Sequence, residues 1–233
     1  MTGTPSNILE ICCYCFESCL HAEKAGADRI ELCEGPEWGG ISPSTRLLDQ
    51  VFQVIKTPIM VMLRPRGGNF HYNPHEIHEM KNKIRELKAF PIQGMVLGTL
   101  LEDHRLDWDL CKRLQEWIDP LPITFHKAFD EILDPEASLE MLMELGIARI
   151  LTSGQKPNAW EGRELIQKLK IQAGNQLEIM AGGGIRSTNL ERLWNFLGSG
   201  AYHSSAILNE EFPEADFLEI KRLKSLLNSG LTP

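Results

Sequence analysis

Eight short apolar runs alternate with eight helical stretches along this chain, and that alternation narrows the fold more than any other feature. The runs rich in β-branched and apolar residues are Ile8–Cys13, Arg29–Cys33, Ile59–Leu63, Gly94–Leu97, Ile123–His126, Arg149–Thr152, Glu178–Ala181 and Ala201–Ser204. The stretches between them carry helical periodicity: Phe16–Ala25, Thr45–Ile55, His75–Lys88, Asp107–Ile118, Glu136–Leu145, Ala159–Ile171 and Thr188–Leu197, with Ala215–Leu227 last. Continuous rather than alternating apolar runs mark strands buried on both faces, as parallel strands covered by helices are. Ser44, Asn73, Asp134 and Ser187 stand where N-caps are needed, and Gly26, Gly146 and Gly198 where helices must stop. The pattern predicts an α/β protein, a (β/α)8 TIM-like barrel. A doubly wound open sheet is the competitor, but no G-x-G-x-x-G turn follows the first run. The 233 residues, shared among eight units, leave about 29 for each, so a single domain over 1–233 is expected.

Composition excludes several function classes. Lys and Arg total 24 against 32 Asp and Glu, a net charge of −8, which argues against a nucleic-acid phosphate binder. No apolar run approaches the roughly 18 residues of a membrane-crossing helix. The first cation is Lys24, so a charged secretory leader is not expected. Five of the six cysteines fall before residue 34, with Cys111 apart. That clustering, in a long chain, reads as free thiols in a reducing cytoplasm rather than as a disulfide framework.

A barrel gathers its chemistry at the C-terminal ends of its strands. The first two strands both carry Glu-x-Cys, which puts Glu10 with Cys12, and Glu31 with Cys33, on one face each. The third strand leads into Arg64-Pro65-Arg66-Gly67-Gly68. Glu10, Glu31 and Arg64, on consecutive strands, suggest either an ion cluster filling the barrel or carboxylates tuned for acid–base work. Arg64 and Arg66 suit a carboxylate or phosphate, or else neutralise the glutamates. Gly182-Gly183-Gly184 with Ser204 resembles a barrel phosphate site and reads equally as a tight turn. His126 and His203 end strands and offer acid–base or ligand groups, whereas His71, His75 and His78 read as a solvated face. Cys12 and Cys33 could hold a soft ion such as Cu(I), or be inert core thiols. Cys13, Cys15, Cys19 and Cys111 read as packing, with Cys15 and Cys19 on one helix face.

Several segments together resemble the copper homeostasis protein CutC family. They are Leu9-Glu10-Ile11-Cys12, Gly26 to Cys33, Gly39 to Ser44, Arg64 to Gly68, Thr124 to Asp130, Leu151 to Gly154 and Met180 to Ile185. The resemblance runs in order from about residue 8 to Ala206. It implies a cytoplasmic TIM-like barrel, often a homo-oligomer, linked to copper tolerance, with Cu(I) held at the positions of Cys12 and Cys33. It implies no established reaction and no organic cofactor. Lys127 stands where the family usually has Arg, Asn69 where Asp is common, and the stretch after Ala206 is shorter than the family's. Two functions follow as expectations. One is a Cu(I) binder. The other is an enzyme acting on a small anionic or phosphorylated substrate, with Glu10, Glu31 and His126 catalytic and Arg64, Arg66, Gly182, Gly183, Gly184 and Ser204 holding the anion.

Overall fold

In the computed structural model, which describes residues 7–209 and 213–229, strands β1 to β8 follow one another around a closed parallel barrel in chain order. They are β1 (Ile8–Cys13), β2 (Arg29–Leu32), β3 (Ile59–Met62), β4 (Gly94–Leu97), β5 (Ile123–Phe125), β6 (Arg149–Thr152), β7 (Glu178–Gly182) and β8 (Ala201–Ser204). The helices are α1 (Phe16–Ala25), α2 (Thr45–Val54), α3 (Pro74–Leu87), α4 (Trp108–Ile118), α5 (Pro135–Glu144), α6 (Arg163–Ala173), α7 (Leu190–Leu197) and α8 (Phe217–Asn228). The predicted TIM-like barrel is the observed fold. Closure between β1 and β8 pairs Glu10 with His203, and the step from β1 to β2 pairs Cys12 with Glu31. The main core is the layer between strands and helices, where Leu9, Ile11, Ile30, Leu32, Phe125 and Leu223 are fully buried. Among the described residues no helix is long and apolar enough to cross a membrane.

The late starts of α6 and α7, against expected starts at Ala159 and Thr188, shape the open end of the barrel. Residues 159–162 are held in a turn because the Ala159 N–H donates to the Gly183 carbonyl (2.9 Å), and Gly162 lies against the backbone of Ser153 and Gly154. Helix α6 therefore begins at Arg163. Ser187, expected as an N-cap, instead donates its N–H and hydroxyl to Glu219 on α8 (2.6 and 2.7 Å). The cap position of α7 falls to Asn189, whose amide bridges the Arg186 N–H and the Gly184 carbonyl (2.9 and 2.8 Å).

Asn73 is the cap that the sequence suggested for α3. Its Oδ1 accepts from the N–H groups of His75 and Glu76, while Glu76 accepts from the N–H of Asn73, a reciprocal capping box. Asn73→Ala leaves those donors without their acceptor and is expected to cost about 1 kcal/mol in equilibrium urea unfolding.

Candidate functional site

Parity along β1 and β2 sends Glu10, Cys12, Arg29 and Glu31 into the barrel lumen, with Cys33 one step beyond the end of β2. Glu10 is fully buried between two cationic neighbours. One carboxylate oxygen bonds the Arg29 guanidinium, and the other lies 2.9 Å from His203 Nδ1. Burial pushes its pKa up, but the bond from His203 and the charge of Arg29 outweigh that and hold it at about 2. Arg29 also reaches Glu178 at 3.2 Å. An ion cluster does form around Glu10, but its arginine is Arg29 and not Arg64, and Glu31 has no ion pair in it among the described residues. Arg64 lies beyond the end of β3, at the barrel mouth, while Glu10 sits near the start of β1. The guanidinium of Arg64 donates instead to the carbonyls of Trp38 (2.9 Å), Gly40 (3.0 Å) and Gly68 (2.7 Å), tying two loops together.

Above that cluster the two thiols meet. Cys12 Sγ is 3.4 Å from Cys33 Sγ and 3.5 Å from Glu31 Oε1, and all three residues are buried. Met60, Met62 and Val96 pack around the pair. The second carboxylate oxygen of Glu31 is buried with no hydrogen-bond partner among the described residues. One atom from each of Cys12, Glu31 and Cys33 lies within 4.8 Å of the others, and the same holds for Glu10, Glu31 and His203. The thiols are electrostatically unequal. The hydrogen bond from Cys33 carries the Cys12 thiol well below its usual range, against burial and with help from His203. Burial pushes Cys33 up, as does the neighbouring Cys12. Burial also raises Glu31, with the charge of Cys12 adding to it. Burial alone would lower His203, yet Glu31, Cys12 and Glu10 together raise it.

All six cysteines are free. Cys13, Cys19 and Cys111 lie in the outer core. Cys15 departs from the expected helix face: it is the N-cap of α1, with its sulfur accepting from the Ser18 N–H at 3.4 Å.

A cavity of about 190 Å³ opens at the C-terminal ends of the strands, with Cys12, Glu31 and His203 on its lining. Arg64, His126, Gly183, Gly184 and Ser204 line the same cavity, so most of the residues expected in either reading share one space. Cys33 stands behind Cys12 and Glu10 beneath, outside the lining. Two expected anion ligands are placed elsewhere. Arg66 turns outward to Glu76 (2.5 Å) and to the carbonyls of Gly67, Asn69 and His71, so it staples its own loop. Gly182 belongs to β7, where a Cβ would stand 2.4 Å from Leu151 Cδ1, and close packing accounts for the glycine. Gly183 and Gly184 do form a turn in the left-handed region, at φ of 105° and 69°. The Ser204 hydroxyl is fully engaged, donating to the Ile185 carbonyl and accepting from Ala206 and Arg186.

His126 caps a short 3-10 turn: its Nδ1 accepts from the Ala128 N–H at 3.1 Å. Burial and the nearby Arg64 lower its pKa to about 3, so the ring is neutral and its proton sits on Nε2. That Nε2 is buried with no hydrogen-bond partner among the described residues. The lining residues outside the predicted site include Tyr14, Lys127 and Arg186. Arg186 follows the glycine turn by two positions, the one local signal that could have pointed to it.

Comparison with known proteins gives a consistent relationship. The model of the CutC family matches residues 7–208. The human copper homeostasis protein cutC homolog is 46% identical over 199 residues, covering 85% of this chain and 73% of the human protein. A CutC family protein of Proteus mirabilis is 44% identical over 200 residues, 85% of this chain and 78% of that protein. Among solved structures, the putative copper homeostasis protein CutC from Streptococcus agalactiae superposes with a TM-score of 0.80 at 31% identity, covering 85% of this chain and 98% of that one.

Proposed function

The chain belongs to the CutC family, and from that membership we propose that it serves copper homeostasis by binding Cu(I) through Cys12 and Cys33. The observation that carries this reading is the pair of buried sulfurs 3.4 Å apart on neighbouring strands. Thiolate is the soft donor that monovalent copper prefers, and hard-ion ligands do not substitute for it. Cys12 is biased toward thiolate, so one charged sulfur is on hand to neutralise a monovalent cation. Metal–thiolate bonds run to about 2.3 Å, so a linear ion would require the sulfurs to part by about 1 Å. The unpartnered Glu31 oxygen is the nearest third donor should the site stay bent. We place the protein in the cytoplasm, where a reducing medium keeps six free thiols available.

Anaerobic titration of the fully reduced protein with Cu(I), in competition with a chelator of known affinity, tests the reading. Saturation at one ion per chain is expected, with Cys12 and Cys33 becoming protected from alkylation. Gradual uptake with no defined stoichiometry, or protection confined to other cysteines, would overturn it.

A further inference from the structure

The thiols explain the bottom of the cavity but not its walls. Arg64, Lys127 and Arg186 bring three permanent positive charges to the lining, against the single carboxylate of Glu31. The whole chain carries −8, so this concentration of cations runs against the average of its surface. A confined cationic cleft in an acidic protein focuses field on anions.

The polar groups are also oriented. Arg186 is locked in place: its guanidinium donates to the carbonyls of Ile185 (2.7 Å) and Ile207 (2.8 Å) and to the hydroxyls of Ser204 and Ser205 (3.2 Å each). The Ser205 hydroxyl accepts there and at the Ile207 N–H. Among the described residues no acceptor is found for its own proton. Lys127 is half exposed, and its only ionic partner among them is Asp130, at a loose 3.9 Å. Its ammonium lies beside the glycine turn, 3.6 Å from where a Cβ on Gly183 would stand. Both glycines hold positive φ, where a side chain would be strained, and Gly183 packs closely against Ser153. Deeper in, His126 is 96% buried and offers a proton on Nε2 that nothing accepts. A buried donor left unpaired is costly, so a site that keeps one is built for an acceptor.

We propose that this cavity is a binding site for a small oxyanion, a phosphate or carboxylate of few carbons, whose charged head lies between Lys127, Ser205 and the Gly183–Gly184 turn. A second acceptor of the same molecule takes the proton of His126 Nε2. At about 190 Å³ the cavity is smaller than most ligand pockets, which suits a small metabolite. The site does not depend on the copper reading, because none of these contacts uses sulfur.

The test uses copper-free, reduced protein and two probes, inorganic phosphate and malonate, in separate calorimetric titrations up to about 10 mM at constant ionic strength. Saturable binding of at least one probe is expected, and the tighter of the two identifies the source of the oxyanion. Lys127→Gln, at an exposed position, should weaken that probe by about tenfold or more, since it removes a charge-assisted contact. His126→Phe keeps the ring but removes the donor, and should weaken it as well. Its fold is checked by circular dichroism, and Lys127→Gln decides alone if that variant is unfolded. Cys12→Ser with Cys33→Ser should leave oxyanion binding in place, which separates failure here from failure of the copper site. No saturable binding of either probe overturns the proposal, as does equal affinity in the wild type and Lys127→Gln.

Discussion

With Cys12→Ser and Cys33→Ser introduced together, Cu(I) binding should disappear while the barrel stays folded. Serine is close in shape to cysteine, so the substitution opens little space among Met60, Met62 and Val96. The new hydroxyls have acceptors within reach: Glu31 Oε1 lies 3.5 Å from the first sulfur and the Cys13 carbonyl 3.7 Å from the second. The stability cost should therefore stay near 1 kcal/mol, that of exchanging a weak donor for a hydroxyl that finds a partner. Affinity is another matter, because a hard neutral hydroxyl is a poor ligand for a soft monovalent ion. Each single variant should already lose most of the binding. Glu31→Gln keeps both sulfurs and removes only a supporting carboxylate, so a loss of about 10- to 100-fold is expected with stoichiometry unchanged. Chelator competition measures all four proteins, and urea unfolding confirms their folding. Undiminished affinity in the double variant would falsify the assignment.

The largest loss of stability is expected from Glu10→Ala. That carboxylate is fully buried and bonds both Arg29 and His203. Its removal leaves Arg29 with the partly exposed Glu178 as its one ionic partner among the described residues, and leaves His203 without the carboxylate it bonds. Breaking a buried pair in this way costs about 3–5 kcal/mol. The proton linkage gives a second route to the same magnitude. A folded pKa of about 2 against the 4.5 of an unperturbed glutamate corresponds to about 3 kcal/mol. Because the folded pKa is depressed, this stabilisation is fully present above pH 4.5 and fades as pH falls toward 2. Urea midpoints across that window should drop steeply in the wild type and less in Glu10→Gln. Parallel acid profiles for the two proteins would show that Glu10 is not the group responsible.

Much of this architecture was legible in the chain because strand parity and helix caps are local properties. The lumen face of Glu10, Cys12 and Glu31 follows from a period of two, and the limits of β1 and α1 agree with the pattern to the residue. What escaped were interactions set by distance along the barrel axis. Arg64 looked like a partner for the glutamates because its strand is their neighbour. Its position at the mouth and that of Glu10 near the bottom cannot be seen in strand order alone. Arg29, which does pair, stands at the start of its strand, where a charged residue reads as a solvated end. Arg66 and Gly182 were drawn toward the site by their neighbours in sequence. The side chain of Arg66 is claimed by Glu76, and Gly182 is fixed by its contact with Leu151. Arg186 and Lys127 escaped because a lone cation in a loop carries no pattern, and only the closed ring brings them to one wall.

The two layers of the lumen also differ in when they can exist. Cys12 and Cys33 are separated by 21 residues and need only the first two strand–helix units to meet. Glu10 and His203 are 193 residues apart and meet only when the last strand docks against the first. Contacts over short spans form quickly, while those that close a whole chain come late. A growing or refolding chain would therefore hold its paired sulfurs before it has the wall that shelters them. The bond between Glu10 and His203 is the clasp that shuts the ring, and until it forms the thiols face the solvent side of an open sheet.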